Sequence, residues 1–484
     1  MNRIRVNILL LLLCIFIPGV AQNVSDGWNK NRTARLTKPV FVYNNWSAYD
    51  ELSDNIPLDE ALAMKELDHI VRLKKLGVQV DYYMMDAFWF DVNEGYRKWR
   101  PDCWPEGPKR WLDACKREGI KPGLWFSTNL LRIGGEANTM KIIPEWESSV
   151  AEDGTTLCLF RGGYLHHLMQ TLQMYADMGI KMFKFDFAYF DAATPDAKCT
   201  MLPTDIEEQN KNAFISAIKE FRYRNPDVLF IGYNGFGGDM ENTVTPFRKT
   251  VDLRWLEIFD TMYCGDPRLS DVPMMNFWRS QDLYSDHMTS QYLFNGVPVR
   301  RIDNCAFMIG TTGTCYNRAL NAWKGMMILT MARGGWLNVC HGNIDLLSDD
   351  DARWMAKVQQ LYMKVQQYGS ISAFGAIPGK ALPYGYMAST EGGKLYTVVN
   401  ASQEKAKVML PEATGTGRVL FTDSGFMPVL EKNIVELGPE QMVVVGYGKF
   451  SNREYDLGIE KDIVIPATIQ KYVTKGKNRC AKEK

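Results

Sequence analysis

The chain has 484 residues, of which 56 are basic and 56 acidic, so its formal net charge is zero, and 46% of its residues are hydrophobic. These values exclude a globally disordered chain, because the apolar fraction is high and the charges balance. They also argue against a protein that binds nucleic acid, since neutralising phosphates requires an excess of basic residues. A chain of this length is expected to fold into roughly two or three domains.

The N-terminal segment has the pattern of a secretory signal peptide. Two arginines precede an apolar run at residues 8–18, and small residues follow up to Ala21. This order predicts a signal peptide over residues 1–21 and a leader over residues 22–37, and therefore a secreted or periplasmic protein. No later apolar run reaches the roughly 18 residues that a membrane-spanning helix needs, so we expect no membrane span.

Strand-like and helix-like patterns alternate in the next part of the chain. In the first predicted helix, Asp59 and Glu60 suit the first turn, apolar residues recur at helical spacing, and Gly77 ends the pattern. The predicted strands cover residues 40–43, 80–88, 122–127, 181–187, 228–233, 274–278, 305–309 and 336–340. The predicted helices cover residues 58–76, 106–118, 164–178, 205–222, 321–331 and 349–368.

This alternation predicts the fold class. Near-continuous apolar strands separated by helices are typical of a parallel sheet that is covered by helices. About eight such units suit a (β/α)₈ TIM barrel over residues 38–370. An open, doubly wound sheet is the alternative, but no G-x-G-x-x-G motif follows the first strand.

The pattern changes after the last long helix. Residues 371–450 consist of short alternating runs separated by Gly, Asn, Asp and Pro, which predicts a small C-terminal antiparallel β-sandwich. Residues 451–484 are polar and end in several lysines, so we expect a solvated basic tail there.

Cysteine spacing predicts no metal site. Of the ten cysteines, Cys14 falls in the predicted signal peptide, and the other nine include no C-x-x-C pair. This spacing disfavours a zinc site, and we expect no cofactor.

Three carboxylates follow predicted strands of the barrel. Asp86 ends the second strand, Asp186 the fourth, and Asp282 follows the sixth, each near an aromatic residue. Because the active sites of such barrels lie at the C-terminal ends of the strands, we expect these residues near one another. No Ser/His/Asp order or phosphate-binding loop competes with them.

Two carboxylates that face each other across a cleft can cleave a glycosidic bond. Asp186 suits the role of an ionised nucleophile, because Lys184 lies two residues earlier and projects to the same side of the strand. The lysine cation is expected to favour the ionised carboxylate. A structural Lys–Asp pair at the rim of the barrel is the alternative interpretation.

The strand-end motifs resemble those of the clan D glycoside hydrolases, and most of all the α-galactosidases of glycoside hydrolase family 36. The resemblance covers roughly residues 38–370 and rests on four ordered motifs. These are Tyr43-Asn-Asn-Trp46, Asp86-x-x-Trp89-Phe, Gly123-Leu-Trp125-Phe and Phe183-Lys-Phe-Asp186-Phe.

The resemblance implies a retaining, metal-independent α-glycosidase that acts on an oligosaccharide or glycan. It implies Asp186 as nucleophile and Asp282 as acid/base, with Asp286 as the other candidate for the second role. Asp86 and Lys184 would bind sugar hydroxyls, and Arg279 would contact the substrate or orient Asp282. The tryptophans expected to line the sugar site are Trp46, Trp89 and Trp125.

One departure from the family pattern bears on the sugar. Relatives usually carry two adjacent aspartates before the tryptophan of the second strand, whereas the second position here is Ala87. The substrate implied is therefore terminal α-linked galactose or a related sugar. A transglycosylase of the raffinose-synthase type and a catalytically silent carbohydrate-binding protein are the alternatives.

Overall fold

The structure is a computed structural model that describes residues 35–46, 58–87, 89–133, 138–236, 251–265, 277–309, 323–423 and 426–460. The predicted signal peptide, most of the predicted leader and the end of the predicted tail lie outside these residues. Among the described helices, none is both long and apolar enough to cross a bilayer.

Eight parallel strands form a closed barrel in which each strand pairs with the next and the eighth with the first. This confirms the predicted TIM-barrel fold. The barrel strands are β1 (Val40–Asn44), β2 (Tyr82–Met85), β3 (Lys121–Ser127), β4 (Met182–Asp186), β5 (Leu229–Gly232), β6 (Thr261–Tyr263), β7 (Ile302–Ile309) and β8 (Leu337–Gly342).

Alternate side chains of each strand point into the barrel. Towards the N-terminal ends of the strands the interior is apolar, and Val42, Met84 and Val339 belong to one buried cluster. The next inward positions on these strands are Asn44, Asp86 and His341. The side chains inside the barrel therefore change from apolar to polar towards its C-terminal end.

Helices surround the barrel and bury their apolar faces against the strands. They are α1 (Glu60–Lys75), α2 (Lys109–Arg117), α3 (Tyr164–Asp177), α4 (Pro195–Thr200), α5 (Pro203–Arg224), α6 (Phe277–Leu283), α7 (Ser285–Phe294), α8 (Trp323–Ala332) and α9 (Asp349–Tyr368). The start of α1 is fixed by Asp59, whose carboxylate accepts a hydrogen bond from the Leu62 N–H at 2.8 Å. Gly77 follows the helix with φ of 96°, a value that favours glycine.

The predicted sixth strand is wrong. The observed β6 lies earlier and has only three residues, whereas Phe277 and Trp278 of the predicted strand belong to α6. Residues 274–276 lie outside the described part of the chain. A short apolar run does not distinguish a strand from a buried helix, because it is too short to show either period.

The C-terminal domain contains two sheets that share one buried apolar cluster, as in a sandwich. Its strands are β9 (Ser370–Gly375), β10 (Tyr384–Thr390), β11 (Gly393–Asn400), β12 (Ala406–Met409), β13 (Gly417–Thr422), β14 (Val429–Glu431), β15 (Ile434–Leu437), β16 (Gln441–Gly448) and β17 (Gly458–Ile459). All pairs are antiparallel except that of β13 with β17. Because β17 follows residue 450, the larger sheet extends into the segment predicted as a tail.

A buried ionic network joins the barrel to the C-terminal domain. Asp286 on α7 accepts hydrogen bonds from Arg333 Nε at 2.6 Å and from the hydroxyls of Tyr384 and Tyr386 at 2.6 and 2.8 Å. The carboxylate and the guanidinium are both fully buried. Removing one partner of such a pair is strongly destabilising, so the network fixes β10 against the barrel.

A second buried carboxylate connects α1 to the first two barrel strands. Glu66 is fully buried and accepts hydrogen bonds from the hydroxyls of Tyr83 and Tyr43, the latter at 3.3 Å. Asn45 Nδ2 lies 3.5 Å from Glu66 Oε2, the oxygen that Tyr83 also contacts. Burial raises the pKa of Glu66 to about 8, although these hydrogen bonds oppose the shift.

We expect this pKa shift to make the stability of the fold depend on pH. An acid with a higher pKa in the folded state stabilises the fold fully below its unfolded pKa of 4.5, and this contribution is lost as the pH rises to about 8. Across that window, wild type should lose about 1.4 kcal/mol of unfolding free energy per pH unit relative to Glu66→Gln. Chemical denaturation of both proteins at pH 5.5 and 7.5 measures this difference. The control is Asp68→Asn, an exposed position on the same helix, and an equal difference at both pH values for Glu66→Gln would contradict the prediction.

Candidate active site

Polar side chains from neighbouring strands meet at the C-terminal end of the barrel. Asp86 directly follows β2, Lys184 and Asp186 end β4, and Asn234 lies just after β5. The structure therefore brings together the charged residues Asp86, Lys184 and Asp186 of the predicted site. All three are at least nine-tenths buried, with exposed fractions of 2%, 4% and 7%.

The carboxylate of Asp86 is held from three sides. Its Oδ2 accepts hydrogen bonds from Lys184 Nζ at 2.8 Å and from Asn44 Nδ2 at 2.9 Å. Its Oδ1 accepts one from the Ala87 N–H at 2.9 Å, and its own N–H donates to Asn45 Oδ1 at 2.8 Å. Two adjacent asparagines of the first motif thus fix both the side chain and the backbone of Asp86.

Lys184 supplies the positive charge of the cluster. Burial would lower the pKa of its ammonium group, but the charges of Asp86 and Asp186 outweigh burial and the pKa is raised. Its Nζ also lies 4.0 Å from the centroid of the Tyr233 ring, at cation–π distance. The lysine is therefore cationic at neutral pH, and its direct ion pair is with Asp86.

The two oxygens of Asp186 have different surroundings. Oδ1 accepts three hydrogen bonds, from Phe187 N at 2.9 Å, Asn234 Nδ2 at 2.8 Å and Asn234 N at 3.2 Å. Oδ2 accepts one long hydrogen bond, from Trp125 Nε1 at 3.3 Å. Among the described contacts, Oδ2 is therefore the less constrained oxygen.

The ionisation of Asp186 reflects opposing influences. Burial raises the pKa of its carboxyl group, while the Lys184 charge and the hydrogen bonds from Asn234 and Trp125 lower it, and the net direction is upward. The predicted effect of Lys184 has the right sign, but it does not exceed the effect of burial. The backbone at Phe187, immediately after the carboxylate, has φ of 49°, which is uncommon for a residue with a side chain.

The three tryptophans predicted to line the site differ in position. Trp125 contacts Asp186 directly, as described above. Trp89 is fully buried, and its Nε1 donates to the Trp125 carbonyl at 2.9 Å, so it supports Trp125 from the aromatic core outside the barrel. Trp46 lies at the end of β1 and is half-buried, with its ring edge-on to His341 at 5.9 Å.

Asp282 and Arg279 lie on α6 and not at a strand end. Asp282 is fully buried, and its carboxylate accepts hydrogen bonds from the backbone N–H groups of Gly379 at 2.7 Å and Ala381 at 3.0 Å. Arg279 forms an ion pair with it. In the described part of the chain, no hydrogen bond or ion pair joins Asp282 to Asp86, Lys184 or Asp186. The other candidate, Asp286, belongs to the network with Arg333.

Several site residues were missed by the sequence analysis. Hydrogen bonds to Asp86 come from Asn44 and Asn45, and those to Asp186 come from Asn234. A further polar pair lies on the neighbouring strands β7 and β8, where Cys305 Sγ is 3.2 Å from His341 Nε2. Burial and the charge of Lys184 hold the pKa of His341 well below its usual value, so its imidazole is neutral. The signal for the asparagines was their position at or just after the ends of strands β1 and β5, where neutral amides can donate hydrogen bonds to carboxylates. Within the described ranges, no group of three His, Cys, Asp or Glu side chains is arranged to hold a metal ion.

We expect Lys184→Met to destabilise the protein by about 3–5 kcal/mol, because it leaves the buried Asp86 carboxylate without its cation. Urea denaturation of the single variants and of the Lys184→Met/Asp86→Asn double variant measures the coupling between the two residues. The double variant should be more stable than Lys184→Met alone. Simple addition of the two single losses would contradict a charge-based coupling.

Comparison with known proteins gives a partial match in sequence and a broad match in fold. No protein-family model matches the chain. Over 220 residues the chain is 26% identical to the α-galactosidase Mel36A of Lactobacillus acidophilus, a stretch that covers 42% of this chain and 28% of the relative.

Solved structures match over a larger part of the chain. The galactosidase domain of the α-galactosidase-sucrose kinase AgaSK aligns with a TM-score of 0.58 at 14% identity, covering 85% of this chain and 55% of that one. The family 36 α-galactosidase AgaA of Geobacillus stearothermophilus aligns with a TM-score of 0.54 at 13% identity, covering 85% and 56%. This chain therefore spans about half the length of these structures and less of Mel36A. In sequence over part of its length, and in fold, the chain is similar to the α-galactosidases of glycoside hydrolase family 36.

Proposed function

We propose that the protein is a retaining α-glycosidase that releases terminal α-linked galactose, or a related sugar, from oligosaccharides or glycans. The observation that carries this proposal is the asymmetric environment of Asp186. Its Oδ1 is anchored by three N–H groups, while Oδ2 has one weak partner at the end of the barrel where such folds carry their active sites. An anchored carboxylate with one available oxygen suits a nucleophile.

In the proposed reaction, Asp186 Oδ2 attacks the anomeric carbon as the bond to the leaving oxygen breaks. The leaving oxygen takes a proton from an acid, and a glycosyl-enzyme ester forms. Water, deprotonated by the conjugate base of that acid, then attacks the same carbon and releases Asp186 as a carboxylate. Two inversions give net retention of the anomeric configuration.

The surroundings of Asp186 suit a neutral polyhydroxylated ligand. Lys184 and Asp86 form a neutral pair with both donor and acceptor capacity, and Trp125 and Trp46 supply apolar faces. Ala87 offers a methyl group where relatives carry a carboxylate, which is why a sugar related to galactose belongs in the proposal. AgaA variants have been crystallised with raffinose and with stachyose, and these oligosaccharides are the natural first substrates to test.

The test is removal of the nucleophile. We expect Asp186→Ala to lower turnover of an aryl α-galactoside by about 10³-fold or more, because no glycosyl-enzyme can form. Added azide should restore turnover and give the glycosyl azide of inverted configuration, identified by NMR. The matched control is Asp191→Ala, an exposed carboxylate five residues further along.

The same assay separates the alternatives. Unchanged activity in Asp186→Ala would refute Asp186 as nucleophile. A wild-type protein that binds sugars but hydrolyses no member of a panel of aryl α-glycosides would be a carbohydrate-binding protein. Sugar transfer to an added acceptor in preference to water would identify a transglycosylase.

The acid/base role predicted for Asp282 needs its own test, because two backbone N–H groups of the loop between β9 and β10 and the Arg279 side chain already hold its carboxylate. From these contacts we expect Asp282→Asn to lower the free energy of unfolding by about 2 kcal/mol and to leave the dependence of kcat/KM on the leaving group unchanged. The measurement compares aryl α-galactosides with good and poor leaving groups, with Asp68→Asn, an exposed carboxylate on α1, as the control. A loss concentrated on poor leaving groups, with azide giving the product of retained configuration, would establish Asp282 as the acid/base.

A further inference from the structure

We infer that Asn234 is a positioning residue that determines which oxygen of Asp186 attacks and how fast the glycosyl-enzyme breaks down. This inference rests on the proposed function, since it assigns a role within the same double displacement. Asn234 donates two of the three hydrogen bonds to Oδ1, through its side-chain Nδ2 at 2.8 Å and its backbone N–H at 3.2 Å.

The position of Asn234 is fixed by the backbone around it. Its carbonyl accepts a hydrogen bond from Ala188 N at 3.1 Å, which ties the loop after β5 to the loop after β4. The next residue, Gly235, has φ of 99°, and a Cβ there would lie 2.3 Å from the Ala188 carbonyl oxygen. Only glycine allows the two loops to approach this closely. The packing of these loops therefore fixes the backbone of Asn234 and places its side-chain amide next to Asp186.

Asn234 affects the reaction because Asp186 Oδ1 carries negative charge in the free enzyme and becomes a neutral carbonyl oxygen in the glycosyl-enzyme. When Oδ2 attacks, its electron pair forms the bond to the anomeric carbon, and Oδ1 becomes the carbonyl oxygen of an ester. Hydrogen bonds to a carboxylate oxygen are stronger than those to an ester carbonyl. The amide of Asn234 therefore stabilises the free carboxylate relative to the glycosyl-enzyme, and it favours the step in which Asp186 leaves.

The same donor acts on the ionisation of the free enzyme. Burial raises the pKa of Asp186, and the hydrogen bond from Asn234 is one of the interactions that lower it. Without this donor the carboxyl group should lose its proton only at a higher pH. The acidic limb of the pH profile of kcat/KM reports that ionisation, because kcat/KM depends on the state of the free enzyme.

The test uses Asn234→Leu, which keeps the size of the side chain and the backbone N–H but lacks the amide donor. With p-nitrophenyl α-galactoside we expect deglycosylation to slow by about tenfold or more, so that kcat and KM fall together and a burst of nitrophenol precedes the steady state. Intact-mass measurement of quenched enzyme should detect the accumulated glycosyl-enzyme. The acidic limb of kcat/KM should move to higher pH.

The matched control is Asn225→Leu at the opposite end of the barrel. Asn225 is also half-buried and hydrogen-bonded through Nδ2, to Gln173 and to the Phe221 carbonyl, but it is remote from Asp186. It should lower stability without a burst or a shift in the pH profile. If Asn234→Leu does not fold, Asn234→Asp provides the second variant, and the same accumulation and a larger shift of the acidic limb are expected from its added negative charge.

The outcomes distinguish this inference from the proposed function. If Asp186→Ala is inactive and rescued by azide while Asn234→Leu shows neither a burst nor a shifted acidic limb, the role of Asn234 is refuted and the proposed function stands. If wild type turns over no aryl α-glycoside, the proposed function fails and the role of Asn234 fails with it.

Discussion

The burial of two carboxylates beside one ammonium group is the constraint on which the C-terminal end of the barrel depends. Asp86, Lys184 and Asp186 are almost fully removed from water. A charge in such surroundings is tolerated only when it is paired and hydrogen-bonded. The neighbouring asparagines, the Trp125 indole and the backbone N–H groups are placed where these charges need partners, and the aromatic residues behind them hold those partners in position.

This arrangement gives the two carboxylates different capacities. Asp86 uses both oxygens for the ion pair with Lys184 and for the hydrogen bonds from Asn44 and Ala87. Asp186 concentrates its partners on Oδ1. The first arrangement suits a fixed binding group, and the second suits a group that must form and break a covalent bond. Asp86 and Asp186 are chemically identical side chains, and their hydrogen-bond partners alone give them different roles.

The remaining predicted carboxylates hold the two domains together. Asp282 binds the loop between β9 and β10, and Asp286 binds Arg333 and two tyrosines of β10. Both lie on the helices between β6 and β7, so this segment contacts the C-terminal domain through two buried carboxylates. A buried carboxylate that follows a barrel strand in sequence is therefore not necessarily directed into the cleft.

Much of the fold could be predicted from the sequence, because local patterns carry the relevant physics. The strand predicted at residues 181–187 is observed as Met182–Asp186, and the helix predicted at residues 349–368 has the same bounds. The period of apolar residues, the helix caps and the terminal glycines act within a few residues of one another. The sixth strand could not be predicted, because three residues are too few to show a period.

The residue pattern alone was enough to predict the barrel, the sandwich and the presence of Asp86, Lys184 and Asp186 at strand ends, since alternation along a strand fixes which side chains face inward. Which oxygen of Asp186 is anchored, and where Asp282 lies, follow from contacts between distant parts of the chain. The hydrogen bond from Asn234 to Asp186 joins residues 48 positions apart, and that from Gly379 to Asp282 spans 97. Such contacts depend on how the loops and domains pack, and no local pattern of residues records that packing.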